Sequence, residues 1–184
     1  MNFTRIKQGF QKSIRAFGNY IWLIFYTIAL FALVLLVIRF FVISPGRVNG
    51  RSMEPNFIDN DLFFVNKYVY WFKKPERYEI VQVIDVPNNK LYLKRIIGLP
   101  GELVTVKRGK VYIKKDPEES ELVLDESKYL SDLVYTKTDY QQGPAWFFIP
   151  PDYYFVLGDN RMHSGDSRSW GPVHRSTIIG RVIK

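Results

Sequence analysis

The sequence predicts a mainly β protein: an antiparallel β-sheet domain behind one N-terminal transmembrane helix. Three observations carry this expectation. Residues 20–38 form one uncharged apolar run, residues beyond Pro45 fall into short β-rich runs separated by turn residues, and the 184-residue chain has no cysteine. Stability of the second part must therefore come from a packed core, and neither disulfides, thiolate metal sites nor a cysteine nucleophile can contribute. A chain of this length holds one ordinary domain and a short appendage.

The apolar run, Tyr20 to Ile38, reads YIWLIFYTIALFALVLLVI. At 1.5 Å of rise per residue it spans roughly the 30 Å of a hydrocarbon core. Tyr20, Trp22 and Tyr26 lie toward its start, where amphipathic rings favour the headgroup level, and Arg39 can snorkel at its end. Arg5, Lys7, Lys12 and Arg15 precede it with no acid among residues 1–19, which places the N-terminus inside by the positive-inside rule. A cleaved secretory signal fits less well, because the bulky run Arg39-Phe40-Phe41-Val42-Ile43 offers no small-residue exit. The expected organisation is a cytoplasmic N-terminus over 1–19, a membrane helix over 20–43 and an extracytoplasmic domain over 44–184. The expected location is the cell membrane, crossed once.

Seven runs read as strands: 62–65, 80–84, 90–97, 103–106, 110–113, 153–157 and 178–183. Pro87-Asn88-Asn89 and Arg108-Gly109 have the residues that tight hairpins use. Between Asp116 and Asp132 seven acids face one lysine, Lys128, which reads as a solvated surface insertion at about 108–145, partly helical from Asp125 to Leu133. Tyr68 to Lys74, aromatic and then basic, suits either a bilayer interface or core aromatics before a charged turn.

The net charge of +8 invites a nucleic-acid reading, but half of it sits in the first 19 residues. The remainder is too dispersed for a dedicated nucleic-acid face, so no nucleic-acid partner is expected.

Chemistry points first to Ser52, in Val48-Asn49-Gly50-Arg51-Ser52-Met53-Glu54-Pro55, just beyond the apolar run. A serine hydroxyl needs a base within hydrogen-bond reach. The chain has two histidines, His163 and His174, and neither lies in a context that would hold it as an oriented base. Lysine can serve if burial or nearby cations pull its pKa from about 10.4 toward 7. Lys94 is a candidate, because strict alternation puts Tyr92, Lys94 and Ile96 on one strand face and Leu93, Arg95 and Ile97 on the other. A third cluster, Tyr154 to Val173, follows an apolar strand with a polar loop holding Asp159, Ser164, Asp166 and Arg168. Two aspartates are too few for a calcium loop.

Together these segments resemble the type I signal peptidases, membrane-bound Ser/Lys endopeptidases that remove signal peptides from exported proteins. The resemblance rests on the N-terminal anchor, Gly50 to Pro55, Asp61 to Tyr68, Lys94 through Glu102, and Gly158-Asp159-Asn160-Arg161 through Ser164, Asp166 and Arg168. One anchor and a short insertion look like the compact Gram-positive type. The resemblance implies that Ser52 is the nucleophile, Lys94 the general base and Ser164 the group that orients the Lys94 amine. It implies Asp166 with Arg168 as a supporting pair, and Arg95 with Asp159 is a second ion pair to expect on the same loop. The Ser52 backbone N–H would stabilise the oxyanion, while Gly50 stands where some members place a second hydroxyl donor. Val48, Met53, Tyr92 and Leu93 are candidates for the apolar walls that receive small signal-peptide residues. No metal or cofactor is called for, and the expected partners are signal peptides of preproteins emerging from the export machinery, with membrane lipid. A Ser/Lys self-cleaving repressor shares the catalytic pair but needs a DNA-binding domain for which this chain has no room. A membrane-tethered binding protein would keep Ser52 as a mere turn residue.

Overall fold

The computed structural model describes residues 3–85, 88–131, 133–137 and 146–184. It divides into two compact units, residues 1–42 and 43–184. In the first unit a helix, α1 (Phe3–Val37), ends in a π turn (Ile38–Val42). Residues Arg15–Val37 are long and apolar enough to cross a membrane, and their side chains are not buried by the rest of the protein. The chain is already a strand at Ile43, which moves the end of the expected helix back by one residue.

The second unit is almost entirely antiparallel sheet. Its eleven strands among the described residues are β1 (Ile43–Arg47), β2 (Leu62–Asn66), β3 (Ile80–Asp85), β4 (Lys90–Gly98), β5 (Leu103–Lys107), β6 (Lys110–Lys114), β7 (Leu122–Val123), β8 (Phe147–Phe148), β9 (Tyr153–Leu157), β10 (Val173–His174) and β11 (Ile178–Ile183). They form a seven-stranded sheet in the order β1-β2-β11-β3-β4-β9-β10 and a four-stranded sheet in the order β7-β6-β5-β8. All seven expected runs are strands. The unexpected ones are β1 and three two-residue strands, β7, β8 and β10. In β1, Pro45 and Gly46 hide the pattern, and Pro45 is tolerated because β1 is the sheet's edge.

The β5–β6 turn is made by Arg108 and Gly109, both at positive φ, as a two-residue hairpin of this twist requires. Asn88 and Asn89 lie in the β3–β4 turn, and Pro87 lies outside the described residues.

The expected surface insertion at 108–145 needs correction in two respects. Strand β6 belongs to the four-stranded sheet and sends Val111 and Ile113 into a core with Ile97, Val104, Phe155 and Leu157. Residues 125–131 contain a turn at 127–129 instead of a helix. The Asp125 carboxylate accepts hydrogen bonds from the Ser127 N–H (3.1 Å) and hydroxyl (2.7 Å), a local arrangement that competes with helix. Asp132 and residues 138–145 lie outside the described residues.

The run Tyr68 to Lys74 is divided between core and surface. It contains a single helical turn, α2 (Val69–Phe72). Tyr70 is core, its hydroxyl donating to Glu79 Oε2 at 2.6 Å. Tyr68, Trp71 and Phe72 are exposed and cluster, with ring centroids 5.4 and 4.9 Å apart around Tyr68.

Candidate active site

Three segments meet at the site: the turn between β1 and β2 that carries Ser52, the middle of β4 that carries Lys94 and Arg95, and the loop after β9 that carries Asp159 to Arg168. The first is anchored from below. Met53 is 1% exposed and packs with Val48, Phe57, Phe63, Val65 and Leu93, which pins the turn to the seven-stranded sheet. The Gly50 N–H donates to Asp59 Oδ1 at 2.8 Å, so that amide is committed inside the turn.

The Ser52 turn and the β9 loop touch directly. The Asn160 N–H donates to the Ser52 carbonyl at 3.0 Å. At Gly158 an added Cβ would fall 2.1 Å from Ser164 Oγ and 2.5 Å from the Ser52 carbonyl oxygen, so only glycine permits this approach.

Strand β4 is central and buried on both faces from Leu93 to Gly98, which removes the solvent-facing side that alternation normally leaves to a lysine. Lys94 is 1% exposed. Its amine lies 3.1 Å from Ser164 Oγ and 5.5 Å from the centre of the Tyr92 ring. Burial pulls its pKa down to about 8; Asp166 and Asp159 oppose the shift and Arg168 assists it.

Arg95 is also buried, but it is fully paired. Its Nε and Nη2 donate to the two oxygens of Asp159 at 2.8 and 2.6 Å, its Nη1 donates to the Tyr78 carbonyl at 2.8 Å, and its guanidinium stacks 4.1 Å from the Tyr129 ring centre. Asn56 completes the shell of Asp159, donating to Oδ2 at 2.8 Å. Such bidentate geometry fixes a loop as well as neutralising a charge.

Asp166 and Arg168 are paired in the same manner, Nε to Oδ1 at 2.7 Å and Nη2 to Oδ2 at 2.8 Å. Asp166 also accepts from the Gly158 N–H at 3.0 Å, and Arg168 donates to the carbonyls of Ser164 (3.1 Å), Arg161 (2.8 Å) and Lys137 (3.0 Å). The pair therefore ties both ends of the Ser164 loop together. Ser52, Lys94 and Ser164 and all four supporting residues thus meet in one place.

The four expected wall residues, Val48, Met53, Tyr92 and Leu93, line a cleft of about 470 Å3 that reaches Ser52. His163 is exposed and its Nδ1 faces Asn160 Oδ1 at 3.2 Å, with no carboxylate partner among the described residues.

Several members of this assembly were not legible in advance. Asn56, Tyr129 and Glu126 hold it through contacts remote in sequence. Glu126, from the acidic stretch, pairs with buried Arg161 (Nη2 to Oε1, 2.5 Å), which also donates to Thr136 Oγ1 at 2.7 Å and to the Gly158 carbonyl at 3.0 Å. A buried arginine in a polar loop was the one available signal, because such a cation requires an acid somewhere.

Comparisons with known proteins identify the family. The family described as signal peptidase, peptidase S26, matches residues 20–184. Signal peptidase I of Leptolyngbya laminosa is 37% identical over 165 residues, covering 85% of this chain and 75% of the relative. Signal peptidase I of Bacillus amyloliquefaciens is 42% identical over 134 residues, covering 72% and 69%. A crystal structure of a signal peptidase I from Enterococcus faecalis aligns with a TM-score of 0.44 at 30% identity, covering 59% of this chain and 97% of that one. The fold and the matches define a β-sheet protease, a hydrolase of peptide bonds. The chain belongs to the signal peptidase family, peptidase S26.

Proposed function

We propose that this protein is a membrane-anchored serine endopeptidase that cleaves N-terminal signal peptides from exported preproteins, with Ser52 as nucleophile and Lys94 as general base. The observation that carries the reading is Lys94 itself: a lysine 1% exposed, 3.1 Å from a serine hydroxyl, with its pKa drawn down to about 8. At pH 7 about a tenth of such an amine is neutral, against fewer than one in a thousand for an ordinary lysine.

Neutral Lys94 takes the Ser52 hydroxyl proton as the oxygen attacks the scissile carbonyl. The Ser52 backbone N–H stabilises the oxyanion. The Gly50 N–H is already held by Asp59, so the second donor is another group. The Lys94 ammonium then protonates the departing nitrogen, the C–N bond breaks, and an acyl-enzyme on Ser52 remains. Lys94, neutral again, deprotonates a water that hydrolyses the ester and restores Ser52. Ser164 orients the amine throughout, and the Asp166–Arg168 and Arg95–Asp159 pairs hold its loop. Small signal-peptide residues before the cut occupy the cleft walled by Val48, Met53, Tyr92 and Leu93.

The apolar stretch of α1 serves as a single-pass anchor, with the basic N-terminus cytoplasmic and residues 44–184 as the extracytoplasmic catalytic domain meeting preproteins at the export machinery.

Cleavage of a purified preprotein by wild type, Ser52→Ala and Lys94→Ala tests this. Each variant is expected to lose at least about 10^3-fold in rate with folding preserved. For the wild type, kcat/KM should rise with pH through about 8, since only the deprotonated amine is a base. Near-normal cleavage by either variant, or a midpoint near 6.5 that vanishes in His163→Ala, would overturn it.

A further inference from the structure

Two clefts meet at Ser52. The cleft of about 470 Å3 lined by Val48, Met53 and Leu93 does not reach Lys94. The other, about 800 Å3, is lined by both Ser52 and Lys94. Tyr92 borders both.

The proton assigns the halves of the substrate to these clefts. The proton that Lys94 removes from Ser52 must reach the scissile nitrogen before the C–N bond breaks, because an unprotonated amide nitrogen is a very poor leaving group. Direct transfer needs that nitrogen within about 3 Å of the Lys94 amine. The nitrogen, and the polypeptide that follows it, must therefore leave on the Lys94 side of Ser52. The acyl side then occupies the cleft that lacks Lys94.

Resting on the function proposed above, we propose that the 800 Å3 cleft is a binding subsite for the first residues after the cut, and that it selects an apolar side chain there. Its wall is built for this. Val83 and Ile84 of β3 form one side. Trp170, at the end of the short helix α3 (Ser167–Trp170), with Pro172 and Val173, forms the other. Trp170 is 43% exposed, so much of a large apolar ring stands open where it lines the cleft. The cleft is also of the size of a ligand site, and its open surface is more apolar than polar although Asn49, Arg51, Asp85, Asn88, His163 and Thr177 line it too. The subsite adds a preference beyond the cut to the small-residue requirement before it.

The subsite has a kinetic consequence. The water that Lys94 activates must reach the acyl-enzyme from the same side, so the released segment must vacate the cleft before deacylation.

The test uses full-length protein in detergent and preproteins that share one signal peptide and differ only after the cut. Leucine is placed in turn at each of the first three positions and compared with glycine. Wild type is expected to prefer leucine at one of them by about tenfold in kcat/KM. Trp170→Ala should bring that ratio to about one, and Trp170→Phe should retain most of it. A wild type with no preference at any of the three positions overturns the proposal. So does a Trp170→Ala variant that slows both substrates alike with the ratio intact, since Trp170 then only supports the Ser164 loop. Failure of the functional reading looks different: Ser52→Ala would cleave both substrates at the wild-type rate, and a wild type that cleaves neither sinks both ideas together.

Discussion

Lys94 and Arg95 are successive residues of β4, both buried, and their two surroundings differ in one respect: the presence of a bonded carboxylate. On the Arg95 side Asp159 is bidentate, and Asn56, the Tyr78 carbonyl and the Tyr129 ring complete the shell. On the Lys94 side the nearest hydrogen-bonding group is a neutral hydroxyl, Ser164. A paired guanidinium stays charged and fixes a loop, whereas an amine buried without a bonded acid is driven toward its neutral, basic form. One strand thus holds a paired cation and an amine without a bonded acid side by side.

Breaking the paired side should have the largest effect. Asp159→Asn leaves Arg95 buried and uncompensated, and a destabilisation of about 3–5 kcal/mol is expected in urea unfolding of the full chain. Unchanged stability would mean that the pair does not hold the loop.

Altering the unpaired side should act in the opposite direction. The folded pKa of Lys94 is lowered from 10.5 to about 8, so between those values the unfolded chain binds a proton that the folded one does not. Stability therefore rises with pH across that window, and the cost of burying Lys94, about 3 kcal/mol, is felt in full below pH 8. Lys94→Met removes that cost and the hydrogen bond to Ser164. The variant should be inactive and more stable at pH 7 by about 2 kcal/mol, with the difference shrinking toward pH 10. A loss of stability at pH 7 would mean that the amine is not held at a cost.

The smallest effect should come from the support around Arg161. Glu126→Gln keeps the shape but removes the charge facing that arginine, for an expected loss of about 1 kcal/mol in unfolding and a several-fold drop in kcat/KM. An unchanged kcat/KM would return the acidic stretch to the solvated role that its composition suggests.

The fold was legible where side chains repeat with strand period, as in β3, β4 and β11, and illegible where backbone exceptions or brevity erase the pattern, as in β1 with Pro45 and the two-residue β7, β8 and β10. At the site, Ser52, Lys94 and Ser164 were readable from short motifs through the family resemblance. Alternation alone could not distinguish a buried lysine from one on a solvated strand face, because which strands flank β4 is a property of topology. Glu126 and Tyr129 were unreadable for the same reason: their partners Arg161 and Arg95 lie over thirty residues away.

Strand order carries one more consequence. β2 and β3 are not paired with each other; β11, residues Ile178–Ile183, lies between them. Strand pairing links β1-β2, which carry the Ser52 turn, to β3-β4-β9-β10, which carry Lys94 and the Ser164 loop, through β11 alone. β11 is therefore the strand through which the larger sheet connects the Ser52 turn to the Lys94 strand, in addition to the direct contacts of Asn160 with Ser52 and of Met53 with Leu93.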